Sequence, residues 1–269
     1  MKKKGTVLFF GLGVLFYSYS SYAQYNILGK PGLVLTPKPA LENHEEGLFL
    51  GYSYLPKDFA LNNFVRKRDD EDYYVANLDF IKRVKVNLAI TQLRNTARTG
   101  IGDRHIDVQV ALLYQKKWLP NVSLIVSPTI KGSNSLTHNL IVMSRYWDLG
   151  KRFRAEFSGG YGLPVIYMKP YKNWKFPSEN YQWIDKSRIG NNYLSGFFGG
   201  MLLSYNDLIW LAAEHDSQYI NLSASVLIKK SIFLRGSYLG LEAFTYGFGY
   251  KFNLSSTPNV VKKHELQQY

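Results

Sequence analysis

Past residue 23 the chain alternates apolar and polar side chains in short runs. Tyr74, Ala76, Leu78 and Phe80 interleave with Val75, Asn77 and Asp79. Val84, Val86, Leu88 and Ile90 interleave with Lys85, Asn87 and Thr91. Ile106, Val108, Val110 and Leu112 interleave with His105, Asp107 and Gln109. Ile220, Leu222, Ala224 and Val226 interleave with Asn221, Ser223 and Ser225, and Phe244 to Phe252 interleave with Ala243 to Lys251. Successive side chains of a strand point to opposite faces, so each run reads as a strand with one apolar and one polar face. Helical spacing is not sustained anywhere in this part of the chain. The pattern predicts about 12 strands, near 47–54, 73–81, 84–92, 104–115, 122–130, 138–147, 152–161, 194–204, 208–215, 219–229, 231–238 and 242–252. Many have about 9–11 residues, the length that crosses a bilayer when tilted.

The connections are uneven. Those at 55–72, 93–103, 131–137 and 162–193 are long, whereas Lys82-Arg83, Lys116 to Asn121, Asp148 to Lys151, Tyr205 to Asp207 and Lys230 are short. Long and short alternate, as they do between the outer and periplasmic ends of an outer-membrane barrel, although the last two outer connections are also short. The polar faces carry Asp79, Lys85, Asp107, Gln109, Arg154, Glu156 and Lys251. Tyr54, Phe80, Tyr114, Tyr146, Trp147, Tyr161, Tyr238 and Phe252 stand near strand ends, as in aromatic girdles at two membrane interfaces. The expected fold is all-β, a transmembrane antiparallel up-and-down barrel over 47–252. The competing fold is a soluble sandwich or lipocalin-like barrel, which would turn its apolar face inward. Periodicity alone does not choose between them.

Residues 1–23 read as a secretory signal peptide. Lys2, Lys3 and Lys4 precede an apolar run from Val7 to Tyr17, and Ser21-Tyr22-Ala23 offers a cut before Gln24. A periplasmic segment at 24–46 and a polar tail at 253–269 complete the expected organisation. The chain has 269 residues, a net charge of +13, 16% aromatics and no cysteine. Disulfides, cysteine–metal sites and thiol chemistry are therefore excluded. Export removes nucleic acid from the expected partners despite the charge. The five histidines never take a metal-binding spacing, and no G-x-S-x-G is present, so no cofactor, metal or catalytic residue is expected.

Several short motifs point to one family. Gly29-Lys30-Pro31-Gly32-Leu33-Val34-Leu35-Thr36-Pro37 resembles the "G-x-x-G-L-x-x-T-P" opening of YjbH-like outer-membrane proteins. Gly102-Asp103-Arg104-His105-Ile106-Asp107 resembles their "G-D-(R/K)-s-x-D" strand, and Pro120-Asn121-Val122 a following "P-x-(I/V)" step. Leu140 to Arg145 is similar to "Y-L-V-x-S-K", and Ala213 to Ser217 to "x-E-Y-D-S". The resemblance implies a barrel in the bacterial outer membrane associated with exopolysaccharide export or surface assembly. It implies no enzyme chemistry. On that basis the chain is a non-enzymatic conduit or scaffold. The alternatives are a structural subunit of a larger secretion or assembly complex and a barrel enzyme acting on lipid or glycan. Expected partners are outer-membrane lipid and lipopolysaccharide, polysaccharide, and periplasmic or outer-membrane proteins.

Candidate lumen or ligand contacts are Asp103, Arg104, Asp107, Glu214 and Asp216. The first three read as a charged ring or as strand-bracing ion pairs. Glu214 and Asp216 share a strand face about 7 Å apart at a rise of ~3.3 Å per residue, and read as an interior ion-pair site. A carboxylate pair at that spacing also admits a glycosidase reading. The connection 162–193 carries Tyr171, Lys172, Trp174, Lys175 and Trp183 as contact candidates, whose rings and cations suit sugar faces and acidic groups. A packed outer loop is the competing reading. The run Arg66 to Asp72 reads as a solvated loop. Basic residues at the short turns read as headgroup contacts or a docking ring.

Overall fold

The computed structural model describes residues 24–39, 46–61, 69–95, 104–128, 137–169, 180–189 and 193–254. The signal-like segment and nearly all of the polar tail lie outside them. Among the described residues fourteen strands form: β1 Gly47–Leu55, β2 Glu71–Ile81, β3 Val84–Leu93, β4 Arg104–Leu113, β5 Asn121–Val126, β6 Leu140–Leu149, β7 Phe153–Gly162, β8 Val165–Met168, β9 Gln182–Asp185, β10 Gly196–Tyr205, β11 Ile209–His215, β12 Ile220–Ile228, β13 Ile232–Leu239 and β14 Ala243–Asn253. Twelve of them close into an antiparallel barrel in which each strand pairs with its neighbours along the chain. The ring is sealed where β1 meets β14, from Gly47 opposite Asn253 to Tyr54 opposite Tyr246. Closure leaves no strand edge with unpaired backbone groups, a requirement in hydrocarbon.

β8 and β9 stand outside the ring. They form a two-stranded hairpin between β7 and β10. The 162–193 connection, expected to be irregular, thus contains regular structure of its own. β5 is shorter than expected and ends at Val126, because Ser127 turns its hydroxyl to Asp107 and to the His138 carbonyl.

Burial along the barrel strands is inverted relative to a soluble protein. Leu50, Leu88, Leu124, Ile141, Met143, Phe157, Leu211, Leu222, Leu234 and Phe248 are exposed. Asn77, Asp79, Lys85, Asn87, Asp107, Gln109, Glu156, Glu214, Asn221 and Arg235 are buried. Asp79 and Lys85 face each other across β2 and β3 and form an ion pair inside the ring. Apolar-out and polar-in is the arrangement of a barrel with lipid around it. A lipocalin-like barrel would show the reverse.

Aromatic clusters mark both ends of this belt. Phe153–Tyr205 and Tyr250–Phe252 pair near the short turns, with ring centroids 5.0 and 4.6 Å apart. Tyr161–Phe197 and Tyr238–Phe244 pair near the opposite rim, at 5.1 and 6.2 Å. Two of the short turns need left-handed backbone at consecutive residues. Asn206 and Asp207 have φ of 53° and 51°, and Lys229 and Lys230 have 50° and 62°. That geometry matches the twist of tight hairpins, and Asn and Asp tolerate it best.

Candidate functional site

Residues 24–39 do not lie in the periplasm, where the sequence suggested a segment at 24–46. All of those sixteen residues are buried within the ring. The segment folds on itself through two tight turns. Asn26 N–H donates to Lys30 O at 2.8 Å, Leu33 N–H to Thr36 O at 2.8 Å and Ile27 N–H to Val34 O at 2.8 Å. Bridges join Tyr25 to Pro31 and Gly32 to Pro37. The Asn26 side chain fastens the knot, accepting from Lys30 N–H at 2.9 Å and donating to Leu35 O at 2.8 Å. Ile27, Leu28, Leu33 and Val34 are fully buried and pack with Phe49, Tyr73 and Trp210 from the wall. The lumen is therefore not simply polar: it holds an apolar knot ringed by polar anchors.

Gly29 explains one position of the glycine-rich opening. It has φ of +78°, and a Cβ there would stand 2.5 Å from Val75 Cβ. Gly29→Ala should therefore loosen the segment by about 2–4 kcal/mol, from left-handed strain plus overpacking. Amide exchange in residues 24–39 would report it. Val75→Gly, which removes the Cβ and both Cγ atoms that clash, should restore only the packing part, since the backbone strain remains.

Three polar anchors hold the knot. The first is Glu214 on β11. Its carboxylate accepts from Val34, Leu35 and Thr36 N–H at 2.9, 2.7 and 2.9 Å, and from Asn221 Nδ2 at 3.2 Å. Successive amides converging on one carboxylate form an anion nest, here filled by the wall itself. The second is Lys38, whose ammonium meets Glu156 on β7 at 2.8 Å while its carbonyl accepts from Gln109 on β4 at 2.8 Å.

The third anchor is the Lys30–Asp107 pair at 2.5 Å, with both side chains 1% exposed. Asp107 also has His105 Nε2 at 3.2 Å and His138 Nε2 at 3.9 Å. Lys186 is buried in the 3-10 turn Lys186–Ile189 after β9. Burial lowers its pKa to about 8, with Asp107 opposing the shift. Burial, and then the Lys30 ammonium, push the His138 imidazole well below its usual range, so it is neutral at physiological pH. Among the described residues, Asp107 is thus the carboxylate on which several basic groups converge. Further contacts complete the seat. Asn87 Nδ2 donates to Leu28 O at 2.9 Å and Arg235 to Tyr25 O at 2.8 Å, while Tyr25 stacks on Phe49 at 3.7 Å.

The candidates from the sequence divide accordingly. Asp107 and Glu214 are brought together on one object, the inserted segment. Asp216 is buried beside them but closes the β11–β12 turn, accepting from Gln218 N–H at 2.9 Å, Tyr219 N–H at 2.8 Å and Asn221 Nδ2 at 2.8 Å. Neither Glu214 nor Asp216 is an interior ion pair in the sense expected, since their partners are amides. A glycosidase pair needs carboxylates open to a sugar, and these are saturated by structural donors. Arg104 is exposed at the start of β4 and does not enter the lumen cluster. Asp103, Tyr171, Lys172, Trp174 and Lys175 lie outside the described residues. Trp183 sits on β9 and is 61% exposed. At the end of the charged run, Glu71 and Asp72 open β2: buried Glu71 accepts from Leu61 N–H at 2.6 Å, and half-buried Asp72 pairs with Arg94 at 2.7 Å.

Sequence reasoning missed Lys30, Lys38 and Tyr25. The available signal was two apolar clusters, Ile27-Leu28 and Leu33-Val34-Leu35, in a stretch rich in Gly and Pro with no strand period. Such residues must be buried somewhere, and in the structure the barrel interior takes them.

No protein-family profile matches the chain, and no curated protein is significantly similar to it. Among solved structures, a KdgM porin is 6% identical, with 76% of this chain and 98% of that chain covered and a TM-score of 0.41. A NanC porin is 10% identical, with 77% and 100% covered and a TM-score of 0.41.

Proposed function

We propose that this protein is a non-enzymatic barrel of the bacterial outer membrane, closed at rest by its own amino-terminal segment. In that state it is a scaffold for exopolysaccharide assembly at the surface. It becomes a conduit only when residues 24–39 leave the lumen. The observation that carries the closed state is the seating of that segment on Glu214, Asp107 and Glu156. The outer-membrane location rests on the exposed apolar belt, the two aromatic girdles and the signal-like residues 1–23. The exopolysaccharide link rests on the YjbH-like motifs. Three of those motifs converge on the inserted segment: the glycine-rich opening is the knot, and Asp107 and Glu214 of two others hold it.

A place in a larger complex is favoured by one further observation. Lys82, Arg83, Lys116, Lys117, Lys151, Arg152, Lys229 and Lys230 are all exposed at the short-turn end. An end this basic suits an acidic periplasmic partner.

The test is conductance in a planar bilayer. The full barrel should be nearly silent, and a chain lacking residues 24–39 should conduct while keeping its heat-dependent gel mobility. A steadily open full-length barrel would contradict the closed state. A deletion that folds but stays silent would leave the scaffold reading and remove the conduit.

A further inference from the structure

The β8–β9 hairpin has two unlike faces. Ile166, Met168, Ile184 and Lys186 form a buried face. The hairpin lies in the connection between β7 and β10, at the long-connection end of the barrel. The other face presents Tyr167, Tyr181 and Trp183, which are 42, 41 and 61% exposed. Tyr167 lies directly opposite Trp183 in the hairpin register. Its ring centroid is 5.3 Å from that of Trp183 and 5.7 Å from that of Tyr181. Three rings thus form a continuous exposed row on a short, two-stranded support.

We propose that this row is a saccharide-binding platform. The C–H face of a pyranose ring is apolar and slightly electropositive, and it packs on the electron-rich face of an aromatic ring. Rings spaced about one sugar unit apart receive successive residues of a glycan chain. Polar groups stand at the ends of the row on the same side. Asp185, opposite Val165, shares the exposed face with Trp183 and Tyr181, and Lys169 follows Tyr167 by two residues. A carboxylate and an ammonium at those places hydrogen-bond sugar hydroxyls. The same carboxylate argues against lipid as the occupant, because a charge on a lipid-facing surface is costly. Aromatic girdle residues occupy the ring strands, and this hairpin is not part of that ring. The platform names a contact surface for the exopolysaccharide of the proposed function and in that respect rests on it, but its chemistry does not depend on whether the lumen opens.

Isothermal titration of the full-length protein in detergent, with cellohexaose as a neutral probe and hexamannuronate as an acidic one, tests this. Saturable binding of at least one is expected. Joint replacement Tyr167→Ala and Trp183→Ala should weaken it by about tenfold or more, and Trp183→Phe should retain most of it. Both variants should keep the heat-dependent gel shift and the low conductance of the parent. Absence of saturable binding to either probe would overturn the proposal, as would binding that both variants leave unchanged. A joint replacement that keeps sugar binding but no longer inserts into phosphatidylethanolamine vesicles would overturn it in favour of a lipid contact. None of these outcomes alters the conductance result, so the platform and the closed lumen fail separately.

Discussion

Glu214→Ala should turn a silent barrel into a conducting one. The carboxylate is the acceptor for three successive backbone N–H groups of the inserted segment, at 2.9, 2.7 and 2.9 Å. Each orphaned buried donor costs about 1–3 kcal/mol, so the closed state should lose about 4 kcal/mol in total after partial relaxation. That is roughly a thousandfold shift in the closed-to-open ratio. The ring itself should survive, because its own ladder bonds do not involve the Glu214 side chain. Glu214→Gln keeps the volume and one acceptor oxygen, and should give a smaller rise in conductance. Planar-bilayer recordings of the three proteins should rank alanine above glutamine above parent. Equal silence in all three, with folded barrels, would mean that Glu214 does not hold the segment in place.

Asp107→Ala should have an effect of similar size by a different route. It leaves the Lys30 ammonium, 1% exposed, without its partner at 2.5 Å. The imidazoles of His105 and His138 stand 3.2 and 3.9 Å from the same carboxylate oxygen. Breaking a buried pair by removing one member costs about 3–5 kcal/mol, because an uncompensated charge stays behind. Removing both members is far milder. Asp107→Ala combined with Lys30→Met should therefore recover most of the loss, and the two changes should be strongly non-additive. Protease cleavage within residues 24–39, followed over time in detergent, measures each variant. If the double variant is cleaved as fast as Asp107→Ala alone, the pair is not what seats the segment, and Lys186 and the histidines become the groups to change next.

Much of the barrel is legible in the order of its residues. Period-two runs such as Val84 to Ile90 and Phe244 to Phe252 locate strands because neighbouring side chains of an extended backbone point to opposite faces. Polar faces bearing Asp79, Lys85 and Asp107, together with aromatic strand ends, favour the apolar-out solution. The short turns are visible for the same local reason, since Lys82-Arg83 and Asn206-Asp207 interrupt two runs with too few residues for anything but a hairpin. The site is legible only in part. Asp107 and Glu214 stand out as carboxylates on strand polar faces, but their roles do not, because their partners lie far away along the chain.

Alternation along each strand determined, from sequence alone, the class of fold, the approximate strand count and which side chains share a face. Those are properties of neighbouring residues, set by backbone geometry within a few positions. The hairpin inside the 162–193 connection and the filling of the lumen belong to the tertiary structure alone. Residues 24–39 have no period to read, and their Gly and Pro allow many backbone paths. Only when the twelve strands close do Glu214, Asp107 and Glu156 converge from separate parts of the wall to meet three amides and two ammonium groups. One cavity then exists in which Ile27, Leu28 and Leu33 to Leu35 leave water while every anchor finds its partner.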